Sequence, residues 1–306
     1  MNPPRKNSCK IYNLNQSYRK DLCIYQDIKR GILMPKANKN ENFGYYSGWM
    51  LSKNTWIINF MEGSQNIYLL EGDQAAMLID TGYGQGNLRA YVEKLTDKPV
   101  IVVNTHFHLD HYGGNAEWEK VYMADQWEMD AMPGYQENDK KFPYPDYEKV
   151  IVGDGYEFDL GGRVIKVLRA KVAHCNSSLF FYDTDNNMLF AGDEFESGQT
   201  LMFLGKPNTL KARLKNMREN AERLYALCDE HTLVLPNHNG APIAREYLLD
   251  YIGLVDSILK GEAEIEDDLN HKHIVKMPGH EKLCRVRFGG ASIFANKEEV
   301  LEAAED

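Results

Sequence analysis

Apolar residues come in short runs separated by glycine, proline and acidic turns, and their spacing alternates between strand-like and helix-like along the chain. Asn66–Leu70 and Ala75–Asp80 are apolar runs parted by the turn Glu71–Gln74, which predicts two buried strands. Thr81–Gly86 ends the second. Leu88, Tyr91, Val92 and Leu95 then share one face, predicting a helix over Leu88–Leu95. Pro99–Val103 is apolar throughout and predicts a strand buried on both faces. Helical segments are expected over His111–Lys120 and Ala124–Met132, and strands over Gly162–Leu168, Leu179–Tyr182 and Met188–Ala191. A long helix is predicted over Lys211–Cys228, behind the stop-and-cap signal Lys206–Thr209. His231–Pro236 reads as a strand, and Gly240–Lys260 as a helix after its first turn. Two similar halves of this kind predict an α/β fold with two mixed sheets packed face to face and helices outside.

The flanks differ from this centre. Residues 1–55 are polar and irregular, with Pro3, Pro4 and Pro35, and read as an N-terminal extension. The compact domain is expected over 56–260. A tail over 261–306 opens on the charged linker Gly261–Asp268, carries a strand at Arg285–Phe288, and is expected to pack on the same domain. The stretch 133–147, with three prolines and four aromatics, reads as an ordered insertion or lid.

Composition narrows the classes. The chain has 306 residues, 43% hydrophobic and 26% charged, which is globular and too apolar for disorder. A chain of this length buries about 75% of its unfolded surface, enough for a core without disulfides. Lys plus Arg is 35 against 45 Asp plus Glu, a net charge of −10, which argues against a general nucleic-acid binder. No apolar run approaches the roughly 20 residues of a bilayer span. Residues 1–30 lack an apolar stretch of about 7–15 residues, so no secretory signal is read there. The five cysteines (9, 23, 175, 228 and 284) are scattered without a CxxC pair. They are neither a disulfide framework nor a zinc ribbon, and the chain reads as cytoplasmic with reduced thiols.

The chemistry is concentrated in Asn104-Thr105-His106-Phe107-His108-Leu109-Asp110-His111-Tyr112-Gly113-Gly114, directly after a buried strand. A strand end leading into a loop lets a rigid sheet aim several side chains at one point. His106 and His108 can grip one ion, and Asp110 and His111 can reach a neighbouring one.

Thr105–Gly114 resembles the signature of the metallo-β-lactamase-fold hydrolases. The family pattern continues in order, through Asp80-Thr81-Gly82, His174 in Ala173–Ser178, Ala191-Gly192-Asp193, and Pro236–Gly240 around His238. The resemblance covers about residues 56–245. It implies a four-layer αββα sandwich, with two mixed β-sheets flanked by helices. It implies that His106, His108 and His174 hold a first metal, that Asp110, His111 and His238 hold a second, and that Asp193 bridges both. The cofactor would be two divalent ions, Zn²⁺ first, with Mn²⁺ or Fe²⁺ as alternatives. A hydroxide held between them, its pKa lowered toward about 7, would attack a small-molecule substrate, with Asp110 relaying a proton to the leaving group. Asp80 would orient a ligand imidazole, a turn cap being the competing reading.

Departures from the family sharpen the expectation. Ala173, Cys175, Asn176 and Ser177 replace the usual glycines and proline around His174. Cys175 reads as a buried structural thiol rather than a ligand. His111 and Asp193 argue against penicillin-type substrates, for which many members carry a cysteine. No Arg/Lys cluster follows Asp193, which disfavours an anionic thiol ester such as a glutathione ester. A lactone, ester or cyclic amide leads, with Phe60, Met61 and the 133–147 loop walling the pocket. An iron-dependent sulfur dioxygenase-like oxidoreductase and a phosphodiesterase or ribonuclease stay open as alternatives on the same fold. Neither nucleic acid nor membrane is an expected partner, and a homodimer stays open.

Overall fold

The computed structural model describes residues 45–60, 65–124, 147–202, 208–267 and 282–304. The chain begins with β1 (Tyr46–Ser52), β2 (Thr55–Phe60), β3 (Gln65–Glu71) and β4 (Ala76–Ile79), an antiparallel meander. Helix α1 (Leu88–Val92) crosses over to β5 (Val100–Val103), which lies parallel to β4. A short helix α2 (Leu109–Tyr112) precedes β6 (Lys120–Met123), and β7 (Glu148–Ile151) completes a seven-stranded sheet in the order β1-β2-β3-β4-β5-β6-β7.

The second sheet contains β8 (Glu157–Asp159), β9 (Val164–Arg169), β10 (Leu179–Asp183), β11 (Met188–Gly192), β13 (Leu233–Pro236) and β14 (Ile243–Ala244), ordered β14-β13-β11-β10-β9-β8. Only β11 and β13 are parallel within it. Helices α3 (Leu210–Leu227) and α4 (Tyr247–Leu259) flank β13 in the chain. A third sheet, ordered β12-β17-β16-β15, joins β12 (Thr200–Leu201) to β15 (Ile265–Glu266), β16 (Leu283–Phe288) and β17 (Ala291–Asn296), ahead of helix α5 (Lys297–Ala303). Among the described residues, no helix is long and apolar enough to cross a membrane.

The layers follow from the two-residue period of the strands. Tyr68, Leu70, Met77, Ile79 and Val103 point from the first sheet into a core shared with Ile165, Val167, Phe181, Phe190 and Leu235 of the second. The alternate residues Ile67, Leu69, Leu78 and Val102 pack outward against Leu88 and Val92 of α1. Phe180, Leu189 and Val234 face Leu214, Met217 and Ala221 of α3, and Leu248, Tyr251 and Leu254 of α4. Helix, sheet, sheet and helix layers therefore stack as expected. Thr209 caps α3 by accepting from the Ala212 amide at 3.3 Å. One buried arginine crosses between the sheets. Arg163 Nε donates to Asp183 at 2.8 Å, while its Nη2 reaches Thr55 at 2.8 Å and its Nη1 reaches the Asn54 carbonyl at 2.7 Å.

Several expectations are corrected here. The regular structure begins at Tyr46, inside the stretch read as an extension over 1–55. In β1 only Tyr46 and Gly48 are buried, so glycine and serine hide the alternation. The helix expected over His111–Lys120 is a single turn, then a 3₁₀ turn at Asn115–Glu117, then β6. The Gly113-Gly114 pair ends it. A Cβ on Gly114 would lie 2.4 Å from the Thr81 carbonyl oxygen, and one on Gly113 would lie 2.6 Å from the Tyr83 backbone, so the approaching turn demands glycine. Ile243–Ala244 pairs with β13, which delays α4 to Tyr247. The charged linker at 261–268 contributes a strand, β15. Most of the 133–147 loop lies outside the described residues, as do 125–132, Met61 and His271, His273 and His280.

Candidate metal centre

The chain turns from strand to loop at one edge of the sandwich, and the candidate ligands sit on those turns. Asp80 follows β4; His106, His108, Asp110 and His111 follow β5; Asp193 follows β11; His238 follows β13; and His174 lies between β9 and β10. Two backbone contacts lock the sheets together here, from Leu179 N to Thr105 O at 2.7 Å and from Asn66 N to Asn237 O at 2.6 Å.

Two sets of ligand atoms form, one from His106, His108, His174 and Asp193 and the other from Asp110, His111 and His238. In the first, His108 Nδ1 lies 2.9 Å from His106 Nε2 and 3.1 Å from His174 Nε2. In the second, His238 Nε2 lies 3.1 Å from Asp110 Oδ2 and 3.4 Å from His111 Nε2. Asp193 Oδ2 joins them. It is 3.7 Å from both His106 Nε2 and His174 Nε2, and 3.3 Å from both His111 Nε2 and His238 Nε2. His106, His111, His174 and Asp193 are buried, whereas His108, Asp110 and His238 are partly exposed, so the cluster opens on their side.

The far side of each ring sets which nitrogen carries the inward lone pair. His174 Nδ1 donates to the Leu201 carbonyl at 2.9 Å, and His111 Nδ1 donates to Asp80 Oδ2 at 2.8 Å. The Thr105 hydroxyl donates to Asp80 at 2.7 Å and accepts from His106 Nδ1 at 3.1 Å. Nε2 of these three rings therefore faces inward with its lone pair. Asp80 also accepts from the Thr105 amide at 2.7 Å and from Asn237 Nδ2 at 2.8 Å. It is an orienting carboxylate as well as the turn residue, at φ 66°.

Burial, reinforced by neighbouring imidazoles, holds His106 and His108 below the usual histidine range and lowers His174 to about 3. For His111 and His238, burial also works downward, but Asp193 and Asp110 outweigh it and hold both rings well above the usual value. Burial works upward on Asp110 and Asp193, and the facing histidines outweigh it, so both carboxyls stay ionised. His106, His108 and His174 are thereby neutral and Asp110 and Asp193 ionised, the forms a divalent cation needs, whereas His111 and His238 must release a proton to bind one. The donor set fits such ions. Inward lone pairs about 3 Å apart need a cation between them, the N/O set suits zinc and its neighbours, and buried Asp193 Oδ1 has no hydrogen-bond partner.

Cys175 is buried, free of disulfide, and outside both ligand sets. Phe60 is corrected: it is fully buried and packs against Tyr46 and Tyr83 instead of walling a pocket. His231, the remaining described histidine, is exposed on a surface turn. Sequence reasoning missed Asn104, Asn115, Glu194 and Glu196. Asn104 and Asn115 bind each other at 2.7 Å, and Asn104 holds the His111 carbonyl at 3.0 Å. Burial pushes the Glu194 carboxyl up to about 7, and burial with the Asp193 charge pushes Glu196 well above the usual range. The run Asp193-Glu194-Phe195-Glu196 carried a signal, since three acids in four residues at a strand end are hard to bury without partners.

Two histidine-rich sets that could hold metal therefore lie on the edge of an αββα sandwich. Residues 61–254 match the model of the Metallo-beta-lactamase superfamily, and the chain belongs to it. The human acyl-coenzyme A thioesterase MBLAC2 is 27% identical over 209 residues, covering 56% of this chain and 72% of that protein. The hydroxyacylglutathione hydrolase of Prochlorococcus marinus (strain MIT 9312) is 25% identical over 173 residues, covering 56% of this chain and 63% of that one. A metallo-beta-lactamase family protein from Thermus thermophilus shares the fold with TM-score 0.55 and 20% identity, over 69% of this chain and 82% of that chain.

Proposed function

We propose that the chain is a two-metal hydrolase of small acyl esters, with thioesters as the leading substrate class. The observation that carries the reading is the position of Asp193 Oδ2, within 3.7 Å of an imidazole nitrogen from His106, His174, His111 and His238 alike. His106, His108 and His174 would hold one divalent ion, Asp110, His111 and His238 the other, and Asp193 both, with zinc as the first candidate. Divalent ions held by these residues would supply Lewis acidity, making water a nucleophile at about pH 7 and polarising the substrate carbonyl.

The chain's own residues supply the rest. Asp80 and the Leu201 carbonyl fix the His111 and His174 rings, so the donors stand in place before substrate arrives. Asp110, ionised and 18% exposed, takes up the proton of the attacking water and delivers it to the leaving group. A C–O bond forms at the acyl carbon, the C–S bond breaks, and the thiol leaves with that proton.

Thioesters lead because the two named relatives act on acyl groups carried by thiols. No Arg/Lys cluster follows Asp193, which disfavours a strongly anionic carrier, so the linkage rather than the carrier is what the relatives support. The test is a panel of short acyl thioesters, oxygen esters, lactones, cyclic amides, β-lactams and phosphodiesters, assayed with zinc- or manganese-loaded protein. Thioesters should give the highest kcat/KM, and His108→Ala should abolish that turnover. Preferred turnover of phosphodiesters, or thioester turnover unaffected by His108→Ala, would contradict the proposal.

A further inference from the structure

We infer that Glu194 and Glu196, on either side of Phe195 and directly after Asp193, are positioning residues that each serve one metal set. Glu194 serves the His174 loop and Glu196 the His238 loop. The inference rests on the two-ion reading above and deepens it.

The segment itself is rigid. Asp193, Glu194, Phe195 and Glu196 are all at least 94% buried. The Phe195 ring stacks on Phe180 at 6.1 Å and meets Tyr251 edge-on at 5.1 Å. The Tyr251 hydroxyl donates to the Glu196 carbonyl at 2.8 Å, and the Glu196 amide donates to that hydroxyl at 3.0 Å. With the backbone pinned, the two carboxyl groups leave it toward different ligand loops.

Glu194 Oε2 accepts from the His174 amide at 3.3 Å. Arg213, buried on α3, holds the same loop from outside. Its Nε donates to the Ala173 carbonyl at 2.6 Å and its Nη2 to the His174 carbonyl at 3.3 Å. Its Nη1 reaches the Met202 carbonyl at 2.7 Å, next to Leu201, whose carbonyl fixes the His174 ring. This loop carries Ala173, Cys175, Asn176 and Ser177 where glycines and proline are usual. A carboxyl and a guanidinium hold this loop from its two sides.

Glu196 Oε2 accepts from Asn239 Nδ2 at 2.6 Å. Asn239 follows His238 in the left-handed region at φ 62°, a conformation asparagine tolerates better than most residues. Ser197 Oγ accepts from the Gly240 amide at 2.7 Å, closing the same loop. Gly198 leaves room for it, since a Cβ there would lie 2.8 Å from Asn239 Cγ.

Methionine at either position keeps the volume and removes the acceptor, while glutamine restores an acceptor oxygen. The test titrates the metal-free full chain with Co²⁺, following d–d absorption against a competing chelator. His174→Ala and His238→Ala serve as single-set references. Glu194→Met should weaken the ion of the His174 set by about 10–100-fold and leave the other unchanged, and Glu196→Met should do the reverse. Both glutamine variants should recover most of the loss. In the His174→Ala background, Glu194→Met should add nothing and Glu196→Met its full effect. If a methionine variant does not fold, the smaller shift of its glutamine counterpart must still fall on one set.

Equal weakening of both ions by each variant, or no weakening by either, would overturn the inference with the two-ion reading intact. A single ion in the unaltered protein would overturn that reading and this inference with it.

Discussion

Asp193→Ala is expected to lower kcat/KM by at least 10²–10³-fold, about 3 kcal/mol or more of transition-state stabilisation, and to cut bound metal to one ion or fewer. Asp193 Oδ2 faces both ligand sets at 3.3–3.7 Å, so no other side chain can take over its role. Its removal leaves five imidazoles converging with only Asp110 to balance a cation, and on the proposed two-ion reading it would release the constraint on metal–metal separation, about 3.5–4 Å in two-metal sites. His231→Ala, on its exposed turn, is the matched control and should change neither quantity. Equal losses in the two variants would mean that the site lies elsewhere.

Asp80→Ala is expected to damage both fold and site. The carboxylate is fully buried and accepts from the Thr105 amide and hydroxyl, His111 Nδ1 and Asn237 Nδ2, all at 2.7–2.8 Å. Truncation orphans these donors and places alanine at φ 66°, a conformation aspartate tolerates better. Breaking such a buried charged network costs about 3–5 kcal/mol. Freeing the His111 ring should weaken the second ion by about 10–100-fold. Asp80→Asn keeps an acceptor oxygen and the tolerance for left-handed backbone, so it should recover much of the stability but not the metal affinity. Urea unfolding with chelator competition on both variants measures the two effects separately. An Asp80→Ala protein with unchanged midpoint and unchanged metal affinity would remove Asp80 from the account.

What was legible in the sequence divides along physical lines. Continuous apolar runs such as Asn66–Leu70 and Pro99–Val103 sit inside a sheet, where both faces are covered, and local pattern alone marks them. The candidate ligand motif stood out because histidines at two-residue spacing directly after such a strand have few structural uses. β1 was missed because its two buried positions, Tyr46 and Gly48, include a glycine and flank the exposed Ser47. The sheet of β12, β15, β16 and β17 was mostly missed because it joins segments far apart in the chain, as in the pairing of Thr200 with Ile293. Asn104, Asn115, Glu194 and Glu196 were missed for a related reason. A buried polar side chain is explained by its tertiary partner, and no periodicity announces that Glu196 will meet Asn239 or that Asn104 will meet Asn115.

The central claim is that two separate ligand sets share Asp193, and metal stoichiometry tests it most directly. Protein purified without chelator, desalted and analysed for elemental content, should carry two divalent ions per chain, and His238→Ala should carry one. A value near one in the unaltered protein that His238→Ala leaves in place would contradict the account.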